Sequence, residues 1–158
     1  MPDESDESDE PAAPGTRYPP IAELVPHGPP MRVLEELVEW APGRAVCRLT
    51  VREGMPLVEG GRLATVATLE HIAQAVAACL GHEAYMGGEG VRVGMLVGVR
   101  KMELLRPWIA VGTELRVSVE RLRGNDEVST FRGEVTAEGE LVATALTTLF
   151  HAERPPEA

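Results

Sequence analysis

Cysteine is scarce in this chain, with only Cys47 and Cys79 among 158 residues. They form no CxxC pair, and no spacing that seats a metal ion. Both sit in apolar stretches, which reads as two buried, reduced thiols and not as a disulfide framework. Positive charge is short too, leaving a net charge of −10. Much of the deficit lies at one end: residues 1–10, MPDESDESDE, hold six acids and no base, and without them the balance is −4. A mildly acidic body argues against nucleic acid or an anionic membrane surface as partner. The chain opens acidic and Pro-rich where a signal peptide needs a basic and then apolar run. No internal repeat is present, and no His, Cys, Asp and Glu group has metal-ligand spacing. A soluble, cytoplasmic protein without a membrane span or a metal is expected.

What the chain does have is one long apolar segment, Leu63 to Ala84, LATVATLEHIAQAVAACLGHEA. It is Ala-rich and free of Pro, and from Ala64 to Gly81 its only acid or base side chains are Glu70 and His71. Such a run makes about five helical turns at 3.6 residues each. Apolar residues fall nearly all round it, as in a helix enclosed by other structure. Its length approaches that of a bilayer span, but the interior carboxylate and polar flanks exclude one. An ionised acid in such a setting is costly without a reason, so Glu70 is the first functional candidate.

Around this helix the chain reads as strands. Residues 1–18 form a disordered acidic and Pro-rich tail, 19–152 one domain, and 153–158 a short disordered tail. Ile21 to Leu24 can make one helical turn before Pro26. His27 is followed by Gly28, Pro29 and Pro30, which puts its imidazole on a rigid, irregular turn. Arg44 to Arg52 alternates as a strand and pairs with Met31 to Trp40 across the turn at Ala41 to Gly43. Glu53 to Arg62 reads as a Gly- and Pro-rich loop leading into the helix. After it come Val91 to Arg106, Thr113 to Leu122, Glu127 to Ala137 and Leu141 to His151, separated by good turn chemistry. Two strands before the helix and four after it give an α+β architecture, a curved antiparallel sheet wrapped around one long central helix.

Three motifs carry a family resemblance. Leu24-Val25-Pro26-His27-Gly28-Pro29-Pro30-Met31 is similar to L-x-P-H-x-x-P followed by Phe or Met. Glu70-His71-Ile72-Ala73-Gln74 is similar to the helix motif E-x-Met/Leu-A-Q. Val93 to Arg100, with Arg106-Pro107 and Val111-Gly112, is similar to the strand F-x-x-G and the turns after it. In this order they resemble the hotdog-fold 3-hydroxyacyl-acyl carrier protein dehydratases, most closely the aryl-polyene subgroup. The chain departs from the family where Gly28 replaces Arg, where Met55 to Arg62 replaces FFxGHFP, and where Ala64-Thr65 replaces Pro-Gly.

The resemblance implies dehydration of a 3-hydroxyacyl thioester, in fatty-acid or polyketide-like lipid synthesis. One group must take the C2 proton and another must protonate the departing C3 hydroxyl. His27 would be the base, since a neutral imidazole is competent near pH 7. Glu70 would be the acid, because an apolar setting disfavours its charged form. Amides near Thr65 and Val66 would bind the substrate carbonyl oxygen, and Gln74, four residues on from Glu70, would orient the carboxyl. His71 points about 100° away on the helix and reads as a packing residue; His82 and His151 lie near element ends. No cofactor is implied beyond the phosphopantetheine arm of an acidic acyl carrier protein. Arg32, Arg62, Arg100, Lys101 and Arg106 are candidates for a basic rim that meets this carrier. In the family each site draws its two groups from different subunits, so a homodimer, an oligomer of dimers or a heteromeric hotdog pair is implied. Strand Val91 to Arg106 can pair edge to edge with its copy. An acyl thioesterase on the same fold, or a non-catalytic acyl-binding subunit, are the alternatives.

Overall fold

The computed structural model describes residues 18–25, 31–88, 93–124 and 127–152. The expected tails fall outside these residues except for Tyr18. Among the described residues, nine strands surround one long helix, α1, which spans Thr68–Met86. The main sheet is built from β1 (Glu36–Ala41), β2 (Arg44–Thr50), β5 (Val93–Leu104), β7 (Glu114–Gly124), β8 (Val128–Ala137) and β9 (Glu140–Ala152). Its order is β1-β2-β7-β8-β9-β5, with every pairing antiparallel.

Alternation explains why this sheet forms. In β2 the buried positions are Ala45, Cys47 and Leu49, and in β7 they are Leu115, Val117 and Val119. In register Cys47 meets Val117 and Leu49 meets Leu115, so one apolar face builds up across the strands. Ile72, Ala75, Val76 and Cys79 of α1 press onto that face and are fully enclosed. Each large aliphatic side chain removed from water in this way contributes about 1.5–3 kcal/mol. Both thiols are free and buried. Burial pushes both of them up, Cys79 to about 12, so neither is a nucleophile.

The far end of α1 is tied down by polar groups. Trp40 Nε1 donates to the Cys79 carbonyl at 3.1 Å, and the Gly43 amide and the Arg121 guanidinium both donate to Glu83 Oε2 at 2.8 Å. His82 lies between the rings of Tyr18, Trp40 and Tyr85. Tyr18, given to the tail on composition, thus belongs to the folded body. Among the described residues no helix is long and apolar enough to cross a membrane.

Two sequence expectations need correction. The stretch Glu53 to Arg62 is not simply a loop, because β3 (Val58–Glu59) pairs with β4 (Arg62–Ala64). Gly60 and Gly61, both at positive φ (62° and 79°), make the two-residue turn between them. β4 pairs in turn with β6 (Trp108–Ala110), giving a second sheet of three short strands. The helix accordingly starts later than Leu63: β4 runs to Ala64, Thr65–Ala67 forms a 3₁₀ turn, and α1 begins at Thr68. The wrapped-helix α+β architecture stands.

Candidate active site

Glu70 lies in the first turn of α1 and is half-buried. It shares a stripe of the helix with the half-buried Ala73 and Ala77, along the side the sheet leaves partly open. One turn on, Gln74 is fully buried, and its amide makes three hydrogen bonds. Its Nε2 donates to Glu70 Oε2 at 3.0 Å and to the Met31 carbonyl at 2.6 Å. Its Oε1 accepts from the Val33 amide at 3.0 Å. The Val33 N–H fixes which end of the amide faces which way, and so aims the NH2 group at the carboxyl. Replacing Gln74 by leucine strands the Val33 amide and takes one donor from Glu70. We expect a loss of about 1–3 kcal/mol of stability by urea titration, with Gln74→Glu also weakening the protein by setting a second carboxyl beside the first.

His27 lies outside the described residues, but both flanks of residues 26–30 are described and both are fastened to α1. Upstream, the Leu24 backbone packs against Gly81 so closely that a Cβ there would collide with the Leu24 carbonyl. Downstream, Met31 and Val33 are bound to Gln74. Gln74 and Gly81 are two turns apart on one helix face. Sequence reasoning anticipated Gln74 beside Glu70 but not these anchors, which are backbone groups with no signature of their own.

Thr65 and Val66 sit in the 3₁₀ turn ahead of α1. The Thr65 amide donates to the Pro107 carbonyl at 3.0 Å, so this N–H is already engaged. Val66 is half-exposed, and its amide has no backbone partner among the described residues. As the first donors of a helix entrance, Val66 and its neighbour face the region where negative charge is best received. The Thr65 hydroxyl is buried without a hydrogen-bond partner among the described residues.

The other histidines stay out of this arrangement. His71 is buried, and burial lowers its pKa from the usual 6.5 to about 4. Between those values the unfolded chain takes up a proton that the folded chain refuses, so stability falls as pH falls. Folding free energy measured from pH 6.5 to 4 should lose about 3 kcal/mol through this group, a share that His71→Leu removes. His82 is likewise lowered by burial. His151 lies on β9 opposite Gly94. The expected basic rim is dispersed. Arg106 donates to Glu140 at 3.1 Å, Lys101 lies 4.0 Å from Glu103, and Arg62 stacks over Trp108. Arg100 is exposed on β5, and Arg32 is half-buried ahead of β1.

A family model described as ApeP-like, ApeP dehydratase, matches residues 19–158. The chain belongs to the ApeP-like dehydratase family. A solved structure, the dehydratase heterocomplex ApeI:P from Xenorhabdus doucetiae, is similar at a TM-score of 0.82 and 25% identity, covering 89% of this chain and 94% of that one. The TT0310 protein from Thermus thermophilus matches at 0.57 and 23% identity, over 73% of this chain and 89% of that one. A hypothetical thioesterase protein with coenzyme A from Streptococcus pneumoniae matches at 0.58 and 15% identity, over 77% and 88%. The latter two speak to the fold alone, which is the hotdog. No curated protein sequence matches the chain. For an ApeP-like dehydratase, a half-buried carboxyl held by a buried amide at a helix start is a workable acid site.

Proposed function

We propose that this chain dehydrates 3-hydroxyacyl thioesters carried on the phosphopantetheine arm of an acyl carrier protein, giving trans-2-enoyl thioesters. The observation that carries this reading is the Gln74 amide, which bonds Glu70 and, through Met31 and Val33, the segment that follows His27. In the reaction His27 takes the C2 proton and the C2 electron pair forms the new double bond. The C3–O bond breaks as Glu70 gives its proton to the hydroxyl, which leaves as water. Negative charge building on the thioester oxygen is received by the Val66 amide at the helix entrance, a role the engaged Thr65 amide leaves to its neighbour. Gln74 holds the Glu70 carboxyl toward the leaving oxygen. Run backwards, the same site hydrates the enoyl thioester.

Edge strand β5 offers a pairing edge to a second hotdog subunit, identical or not. The similarity to a dehydratase heterocomplex supports looking for both. The test is to incubate the purified protein with a 3-hydroxyacyl carrier protein and follow it by mass spectrometry. Loss of one water from the carrier-bound chain is the expected result. Release of free acid would make it a thioesterase, and an unchanged substrate with the correct carrier and partner subunit would make it a binding subunit.

A further inference from the structure

The small β3-β4-β6 sheet turns one face to the core, with Leu63 and Ile109 fully buried. Its other face is unusually apolar for a surface. One row across the strands reads Leu57, Ala64 and Trp108, joined by the Ala64 amide donating to the Leu57 carbonyl at 3.0 Å and by the Ala64–Trp108 pair in β6. The next row reads Glu59, Arg62 and Ala110. Leu57 is 60% exposed and Trp108 46%. Leu57 also holds a φ of +68°, a conformation that bulky residues rarely adopt and that costs about 1–2 kcal/mol. The Arg62 guanidinium lies 4.5 Å from the centre of the Trp108 ring. Glu59 stands opposite Arg62 in register but makes no ion pair with it, so the guanidinium remains available to an outside acid.

This patch adjoins the helix entrance. Pro107, next to Trp108, accepts the Thr65 amide, and the exposed Val66 comes one residue later. Trp and Arg together, ringed by aliphatic surface, are the residue types that dominate protein–protein binding energy. We infer that this face is the docking platform for the carrier protein itself, whose acidic surface meets Arg62 while its apolar contacts cover Leu57 and Trp108. Docked there, a carrier would deliver its thioester at Val66. The inference rests on the carrier-bound substrate proposed above.

The experiment compares two forms of one substrate in the full-length protein: the 3-hydroxyacyl group on its carrier and on free pantetheine. Trp108→Ala and Arg62→Glu should each lower kcat/KM for the carrier form about tenfold or more, through KM, and leave the pantetheine form unchanged. Leu57→Asn removes the apolar tip with a residue that tolerates positive φ, so its matching loss cannot be blamed on misfolding. An equal loss on both substrates, or none on either, overturns the platform. So does a change of mass by light scattering with carrier kinetics unmoved, since the face would then join subunits. Should the wild-type chain, supplied with its partner subunit, turn over neither substrate, the dehydratase reading fails separately. Fluorescence anisotropy of labelled carrier then decides the platform: binding weakened tenfold by Trp108→Ala supports it, and equal binding overturns it.

Discussion

Glu70→Gln should slow dehydration of a 3-hydroxyacyl thioester by two to four orders of magnitude, the usual range for losing a positioned acid or base. The substitution is chosen for what it keeps. A glutamine at 70 has the same shape and an amide oxygen that can still accept from Gln74 Nε2, so the local hydrogen bond survives. What it lacks is a transferable proton. Stability should therefore stay within about 0.5 kcal/mol of wild type while turnover collapses. His27→Ala should cause a loss of similar size, and imidazole added to the buffer should restore part of it, because the missing group is a diffusible base. Both variants should lose hydration of the enoyl thioester in the same proportion, since forward and reverse reactions share one transition state. The readout is the rate of water loss on the carrier, followed by mass spectrometry. A Glu70→Gln protein that keeps its rate within threefold would remove the carboxyl from the chemistry and leave it a structural partner of Gln74.

How much of this was legible beforehand depends on where the information lies. The strands of the main sheet were readable because each has one buried and one solvent-facing side, so Ala45, Cys47 and Leu49 announce themselves at period two. The enclosed helix was readable because only a covered helix tolerates apolar residues nearly all round. The β3-β4-β6 sheet was not, since strands of two and three residues are too short to show a period. Gly60-Gly61 was the available signal, a two-residue turn that resembles the middle of a loop. The helix start was misplaced because Leu63-Ala64-Thr65-Val66 suits strand and helix alike; only the hydrogen bonds to β6 and Pro107 decide. The same bond engages the Thr65 amide, a contact 42 residues away that no local pattern announces. Gln74 was placed beside Glu70 by spacing alone, yet its grip on Val33 and Met31 spans 41 and 43 residues and uses main-chain atoms. No local pattern encodes such a contact.

Gly81→Ala should destabilise the protein by about 3 kcal/mol, on the order of 10 °C in Tm. The sign is the point of the experiment. In an ordinary helix interior alanine is better than glycine by about 1 kcal/mol, because glycine has more backbone freedom to lose. At Gly81 the added methyl instead meets the Leu24 carbonyl and its neighbouring backbone atoms, which cannot swing aside as a flexible side chain would. Either α1 retreats from the Ile21–Glu23 turn or that turn lifts away, and in both cases the buried Leu24 loses its seat. The consequence reaches the site, because the described chain on either side of residues 26–30 is held on α1, by Leu24 at Gly81 and by Met31 at Gln74. Turnover should therefore fall with stability, and should stay low well below the new midpoint, where the chain is folded. Gly87→Ala is the control: at the end of the same helix an added Cβ meets only ordinary contacts, so its midpoint should move by no more than about 0.5 kcal/mol. A Gly81→Ala protein that melts higher than wild type would mean that Leu24 does not rest on the helix, and that the chain around His27 is tied to α1 through Gln74 alone among the described contacts.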